Sequence, residues 1–321
     1  MGSLTGGASG CTLKQMIFKA LEEAGPMTGR ELLAQVRPLV AAELYDQCNL
    51  MLWRECVRSD GVLMRCASRR YLRLDRNVAG YARLSPSIIR EFHNYTVIAL
   101  EAQENPASVL LSSLSEKMKN ISDSKYRLAE EIIGSIVASR TDFAAVNASA
   151  CFIIAGDVAY GMSHDDPRPE SSTGLMVKGS DLDIICVTDG LPPPISKSLE
   201  QAIYEKKYFL LKNPGYREEI DYVVKDISKV RDQLMFDDFK HMVASKILNE
   251  GLFLYGNRKI FDDIGAMLAE YDITGKLLKL EEKAAAGRRE AEALLLADYD
   301  ALPHDECMKL FCTNEEREEF E

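Results

Sequence analysis

Histidine is scarce in this chain of 321 residues: His93, His164, His241 and His304 are its four copies, and none has a neighbour at ligand spacing. Nothing in that spacing suggests a metal centre built on imidazole. Eight cysteines occur without a CxxC pair, and Cys151 and Cys186 fall inside apolar runs. Neither a disulfide framework nor a zinc site is indicated, and reduced, buried thiols of a cytoplasmic protein are expected instead. No apolar run approaches the length of a membrane span, no signal peptide is visible, and no internal repeat is present. What remains is an ordinary globular composition, 46% hydrophobic and 28% charged, on a length sufficient for two or three domains.

A net positive charge is also missing from most of the chain. Residues 1–90 carry 13 Lys and Arg against 8 Asp and Glu, so the overall net of −11 leaves −16 for the remainder. That balance argues against a general nucleic-acid coat but leaves room for a basic module at one end. The first ten residues, "MGSLTGGASG", are Gly/Ser-rich and read as a disordered tail, 1–10. Residues 11–90 then show three short helical patterns. The first follows Thr12 as N-cap, and the second follows Thr28 with Glu31 completing a capping box. The third covers roughly 40–58, and two short strands follow around a Ser68-Arg69 turn. Three helices and a hairpin is the order of a winged helix-turn-helix; "GPMTGRELLAQV" resembles the second helix of that family and "SRRYLRL" its wing. Arg69, Arg70 and Arg73 on that wing can grip nucleic-acid phosphates. The bland reading is a protein-docking module, since the third helix carries Glu43, Asp46 and Glu55 and is basic only at its end, Arg54 and Arg58.

From 91 to 125 the pattern reads as a helical connector, with the apolar run "IIREFHNYTVIALEAQ" taken as helix and a polar stretch from 102 to 124 carrying a helix of its own. A further helix, "KYRLAEEIIGSIVASR", leads into a second domain over 126–258. Apolar strands are expected at "ACFIIAG" (150–156), "DLDIICV" (181–187), "EEIDYVV" (218–224) and "LFLYG" (252–256), with helices between them. The tail, 259–321, reads as helical and acidic.

The chemistry concentrates where a carboxylate meets a buried strand. Asp181 and Asp183 stand two residues apart, hence on one face of their strand, where unpaired charges repel and resist burial. Asp221 sits mid-strand on the face opposite Ile220, Tyr222 and Val224. If the two strands are neighbours, the three carboxylates converge, and such oxygen donors suit one or two hard divalent ions, Mg2+ or Mn2+.

The region from about 126 to 256 resembles the nucleotidyltransferases of the DNA polymerase beta superfamily. The likeness rests on "AGDVAYG" (155–161), "GSDLDI" (179–184), "EIDYVV" (219–224) and "SKILNEGLFLYG" (245–256), in that order along the chain. It implies an α+β protein: an α/β-type core with a short mixed sheet and helices, preceded by the winged module and followed by the helical segment. It further implies transfer of a nucleoside monophosphate from an NTP to an acceptor with release of pyrophosphate. Asp181, Asp183 and Asp221 would hold the ions and carry catalysis. Gly156, Asp157, Gly161, Gly179 and Ser180 would approach the nucleotide. Two departures stand out: the family's Gly-Ser is Gly156-Asp157 here, and 17 residues, 162–178, separate Gly161 from Gly179. Asp157 should repel phosphate unless a cation intervenes. The long loop reads as a lid, a substrate loop or a disordered insert, and its Arg168 is one candidate for that cation. The competing readings are a non-catalytic DNA-binding regulator with a degenerate nucleotide-binding domain, and an adaptor whose winged module docks protein. No membrane partner is expected.

Overall fold

The computed structural model describes residues 12–40, 45–170, 172–297 and 302–313. The expected disordered tail, 1–10, lies outside the described residues, as does Glu43. In chain order the elements are α1 (Leu13–Ala24), β1 (Met27–Thr28), α2 (Gly29–Val36), α3 (Tyr45–Arg58), β2 (Val62–Cys66), β3 (Tyr71–Leu74), β4 (Ala82–Ser85), α4 (Ile88–Arg90), β5 (Thr96–Leu100) and α5 (Glu104–Ala138). There follow α6 (Phe143–Ser149), β6 (Ala150–Ile154), α7 (Gly156–Tyr160), β7 (Pro167–Pro169), β8 (Met176–Lys178), β9 (Leu182–Thr188), α8 (Pro193–Lys212), β10 (Ile220–Asp226), α9 (Ile227–Gln233), α10 (Phe239–Glu250) and β11 (Leu252–Gly256). The last are α11 (Arg258–Glu270), α12 (Ile273–Ala297) and α13 (His304–Phe311). Helices and small sheets are mixed, an α+β architecture, and no barrel forms among the described residues.

Two compact units share the chain. One takes the residues up to Arg73, Ala82–Lys117 and those from Glu281 onward; the other takes Leu74–Tyr81 and Met118–Leu280. In the first unit, Thr12 and Thr28 both cap their helices, with Gln15 and Glu31 returning the hydrogen bond. The apolar faces of α1, α2 and α3 form a core around Ile17, Leu21, Leu32 and Leu50, all fully buried. The C-terminal α13 belongs to this core, with the Phe311 ring 5.8 Å from that of Trp53.

Two sequence expectations need correction here. The strands flanking Ser68-Arg69 do not pair with each other: β2 pairs with β5, and β3 with β4. The run "IIREFHNYTVIALEAQ" is not one helix, because after one turn of α-helix and a π-helical turn, Glu91–Tyr95, it becomes β5. A continuous apolar run carries no period to separate helix from strand; here the β-branched Thr96, Val97 and Ile98 fit the pleat. Beyond the π-helical turn at its start, the connector expected over 91–125 is therefore helical only from Glu101 on, with β5 between. There a single helix, α5, replaces two, its polar stretch holding helix while Ser108, Ser112, Ser115, Ser122 and Ser124 donate to carbonyls four residues back.

The second unit is built on a four-stranded mixed sheet in the order β10-β9-β6-β11, with β10 parallel to β9 and the other pairings antiparallel. One sheet face presents Phe152, Ile154, Leu182, Ile184, Cys186 and Ile220 to a stripe on α5, Ala129, Ile132, Ile133, Ile136 and Val137, and to Leu199 and Ile203 of α8. The α5 residues recur at three- and four-residue steps, one apolar face of a helix. The same helix supplies a buried cation. Lys125 Nζ donates to Glu218 Oε2 at 2.6 Å and to the Lys178 carbonyl at 2.9 Å, with both ionic side chains less than a tenth exposed. Glu218 lies just before β10 and Lys178 just before the Gly179-Ser180 turn into β9, so one ammonium ties the approaches to both strands.

Replacing Lys125 by methionine keeps the stem but leaves Glu218 buried without its cation, which should cost about 3–5 kcal/mol. Urea unfolding measures it. Adding Glu218→Gln to Lys125→Met should recover much of the loss, and a double variant as unstable as the single one would show that the pair is not what matters.

Candidate metal centre

The parallel pairing of β9 and β10 sets Asp183 directly opposite Asp221. Because side chains alternate along a strand, the residues flanking them (Leu182, Ile184 and Ile220) enter the core, leaving Asp181, Asp183 and Asp221 on the other face. One carboxylate oxygen from each of the three lies within 4.8 Å of the others. A cluster of hard oxygen donors of this size matches what a Mg2+ or Mn2+ ion takes. Gly156 makes room for it. Its φ is +66°, and an added Cβ would collide with Asp183 Oδ2, so only glycine both adopts this turn and lets the carboxylate approach.

Like charges at this spacing raise one another's pKa. Burial first, and then the charges of Asp181, Asp157, Asp221 and Glu250, push the Asp183 carboxyl up to about 8. Burial likewise raises Asp181, partly offset by Arg168, and raises Glu219, whose neighbours are Asp181 and Arg168. Two cations answer the cluster. Arg168 donates to Asp181, to Glu219 Oε2 at 2.9 Å and, through Nε, to the Gly179 carbonyl at 2.8 Å. Lys207 of α8 reaches Asp221 Oδ1 at 2.9 Å. Burial opposes the Lys207 charge, but the hydrogen bond and charge of Asp221 outweigh it and raise its pKa.

The remaining expected site residues divide. Asp157 stands beside the cluster and accepts from Ser180 Oγ at 2.8 Å, while that hydroxyl accepts from the His164 N–H at 3.2 Å. Gly179 has φ +57° and abuts the His164 carbonyl, which a Cβ would strike. Gly161 ends α7 in a left-handed conformation, with open space where a Cβ would be, and its role there is that of a helix cap. Arg69, Arg70 and Arg73 belong to the other unit. Arg70 is held there by Glu91, at 2.7 Å through both Nε and Nη2, and by Glu292 at 3.0 Å.

Three participants were not singled out from the sequence. Glu219 repeats with Asp221 the two-residue spacing of Asp181 and Asp183, a signal that was present. Lys207 and Lys125 come from helices and gave none. Within the loop 162–178, β7 and β8 pair antiparallel. Its turn closes on Glu170, which accepts from the backbone and hydroxyls of Ser172 and Thr173; these bonds overcome burial and hold its pKa down at about 2.

In a second grouping, Asp237 and Asp238 are exposed and His241 is half-buried, and Asp238 caps α10 by accepting from the His241 N–H. Among the described residues no helix is long and apolar enough to cross a membrane. Comparison with protein-family models, curated proteins and solved structures finds no match to this chain.

The Asp183 shift has a pH signature. An unfolded aspartate titrates near pH 4, so between there and about 8 the native state keeps a proton that the unfolded state has lost. Stability of the protein in chelator should therefore fall as pH rises through that window. Asp183→Asn should flatten the fall and leave the variant more stable than wild type at pH 8, by as much as a few kcal/mol. Thermal unfolding at pH 5 and pH 8 reads both, and an unchanged slope in the variant would assign the effect to another group.

Proposed function

We propose that the second unit is a metal-dependent nucleotidyltransferase of the DNA polymerase beta type. The observation that carries this reading is the convergence of Asp181, Asp183 and Asp221 on two parallel neighbouring strands, beside a glycine turn that must lack a side chain. In the reaction, an acceptor oxygen forms a bond to the α-phosphorus of an NTP, the α–β phosphoanhydride bond breaks, and pyrophosphate leaves with its electron pair. Asp181, Asp183 and Asp221 would hold Mg2+ or Mn2+, which when bound lowers the pKa of the attacking hydroxyl and neutralises the leaving group. Asp221, exposed on the outer strand, would face the acceptor and receive its proton. The backbone at Gly156 and Gly179, both at positive φ, would lie close to the triphosphate. Seven unpaired cysteines among the described residues fit a reducing cytoplasm.

One observation favours a weakened site: Asp157 places an anion where phosphate would lie, and it already engages the Ser180 hydroxyl. The first unit fits a winged helix. Its sheet order, β1-β5-β2, supports that reading, with the wing assigned to the segment that runs into β3; the stretch Leu74–Tyr81 beyond it belongs to the second unit. Nucleic acid is the partner we assign to that wing, through Arg69 and Arg73. Arg70 also serves the structure of the unit, because its hydrogen bonds to Glu91 raise its pKa and tie it there.

Incubation with each labelled NTP, Mg2+ and cell extract should label an acceptor, and Asp183→Asn should abolish labelling and divalent-metal affinity while keeping the fold. Turnover that persists in that variant would move the chemistry elsewhere. Asp157→Ser decides between an impaired and an intact site by titration with a non-hydrolysable NTP: affinity should rise, since serine removes a repulsion, and a fall would mean that Asp157 holds a needed cation.

On the wing, Arg69→Ala with Arg73→Ala should weaken nucleic-acid binding equally for all sequences and reduce its salt slope. Arg70→Ala should instead lower the unfolding temperature. Equal binding by wild type and the Arg69/Arg73 variant at low salt would favour protein docking.

A further inference from the structure

Beside the carboxylates, around the outer strand β10, lies a surface that the proposed chemistry does not use. Helix α8 and the turn after it carry four large aromatic side chains in solvent: Tyr204 is 54% exposed, Tyr208 49%, Phe209 47% and Tyr216 39%. Soluble proteins seldom leave so many large rings together without a partner. They form one patch. Tyr204 and Tyr208 are one helical turn apart, and the Phe209 and Tyr216 rings stand 6.0 Å from each other.

Lysines are interleaved with the rings. Lys212 Nζ lies 4.3 Å from the Tyr208 ring centroid and Lys206 Nζ 5.1 Å from that of Phe209. From Tyr204 to Arg217 the chain carries Lys206, Lys207, Lys212 and Arg217 against Glu205 alone, a local +3 in a protein of net −11. The exposed Lys178 adds to it, since its N–H donates to the Arg217 carbonyl. The patch is also continuous with the acidic cluster, because Lys207 is the residue that holds Asp221.

Flat rings in water, alternating with ammonium groups, match one chemistry well. Unpaired bases offer faces that stack on any ring, and the phosphates between them meet the lysines. A duplex hides its base faces and gains only the charge. We propose that this face of α8 binds a single-stranded nucleic acid and leads its end to Asp221, making such a strand the acceptor. This deepens the nucleotidyltransferase reading and rests on it for the word acceptor, but the binding itself requires neither metal nor NTP.

The test uses the full chain, with Arg69→Ala and Arg73→Ala present in every protein compared so that the wing is silent, and a fluorescein-labelled oligouridine, with anisotropy read in chelator. This parent chain should bind with a salt-dependent affinity and bind the strand's duplex form more weakly. Tyr208→Ala with Phe209→Ala should lose about tenfold or more. Lys206→Glu with Lys212→Glu should lose affinity and flatten the salt dependence; circular dichroism checks that both variants fold. Asp183→Asn should bind as the parent does. If the parent binds the strand but never extends it, the surface stands and the transferase reading falls. Undiminished binding in the aromatic variant, equal affinity for duplex, or a parent dimer that the aromatic variant dissolves would each overturn the proposal, the last by giving the surface to a second copy of the chain.

Discussion

The second unit depends on one buried ion pair. Lys125 and Glu218 are each nearly sealed from water, and neither charge is tolerable there alone. Their contact fixes α5 against the start of β10, and the second bond from Lys125, to the Lys178 carbonyl, fixes it against the start of β9. Those two starts bring Asp221 and Asp181 into place. A hydrophobic pair could pack as well but would not set two strand ends at once, because an ammonium has several directed donors and a methyl group has none. The pair therefore acts on the geometry of the cluster without touching it.

Around that anchor the sheet separates two tasks by the alternation of its side chains. The even-numbered positions of β6 and β9, with Ile220 of β10, build the core under α5 and α8, and each large apolar side chain buried there stabilises by about 1.5–3 kcal/mol. The odd-numbered positions of β9 and β10 carry the acids. The acids destabilise the fold, and they are confined to the first residues of β9 and β10, while Ile153, Ile185 and Val187 further along the same face are buried. Strain is confined in the same way: the positive φ at Gly156 occurs where β6 gives way to α7, and there the missing Cβ admits Asp183.

How legible this was depends on the kind of signal. Strands β6, β9, β10 and β11 stood out as short apolar runs between turns, and a two-residue spacing suffices to set Asp181 beside Asp183. The same logic, applied one step earlier along β10, would have found Glu219. Pairing in the first unit was not legible. Which strand β2 joins is decided by β5, some thirty residues on, whose apolar residues carry no period. Arg168 was read in relation to Asp157, yet it reaches Asp181 and Glu219, because the hairpin that carries it is set by pairing between Arg168 and Val177. Lys125 was invisible for a related reason. A lysine within a helical pattern reads as a solvated one, and its burial follows only from where the next two strands begin.

The charges around the cluster do not balance. Among the described residues, Asp157, Asp181, Asp183, Glu219 and Asp221 face Arg168 and Lys207, while Glu250, itself paired with Lys246, adds to the field at Asp183. Proteins in water relieve such an excess in two ways, by keeping a proton or by taking a counter-ion. The raised Asp183 pKa is the first of these, and a divalent ion is the second and the stronger, since it replaces a neutral carboxyl by a paired one. The positions of the two resident cations matter here. Arg168 satisfies Asp181 from the hairpin side and Lys207 satisfies Asp221 from the edge of the sheet, so Asp183 between them is the carboxylate left to burial and its acidic neighbours. A cation bound at the cluster would therefore gain most at Asp183, over the glycine turn.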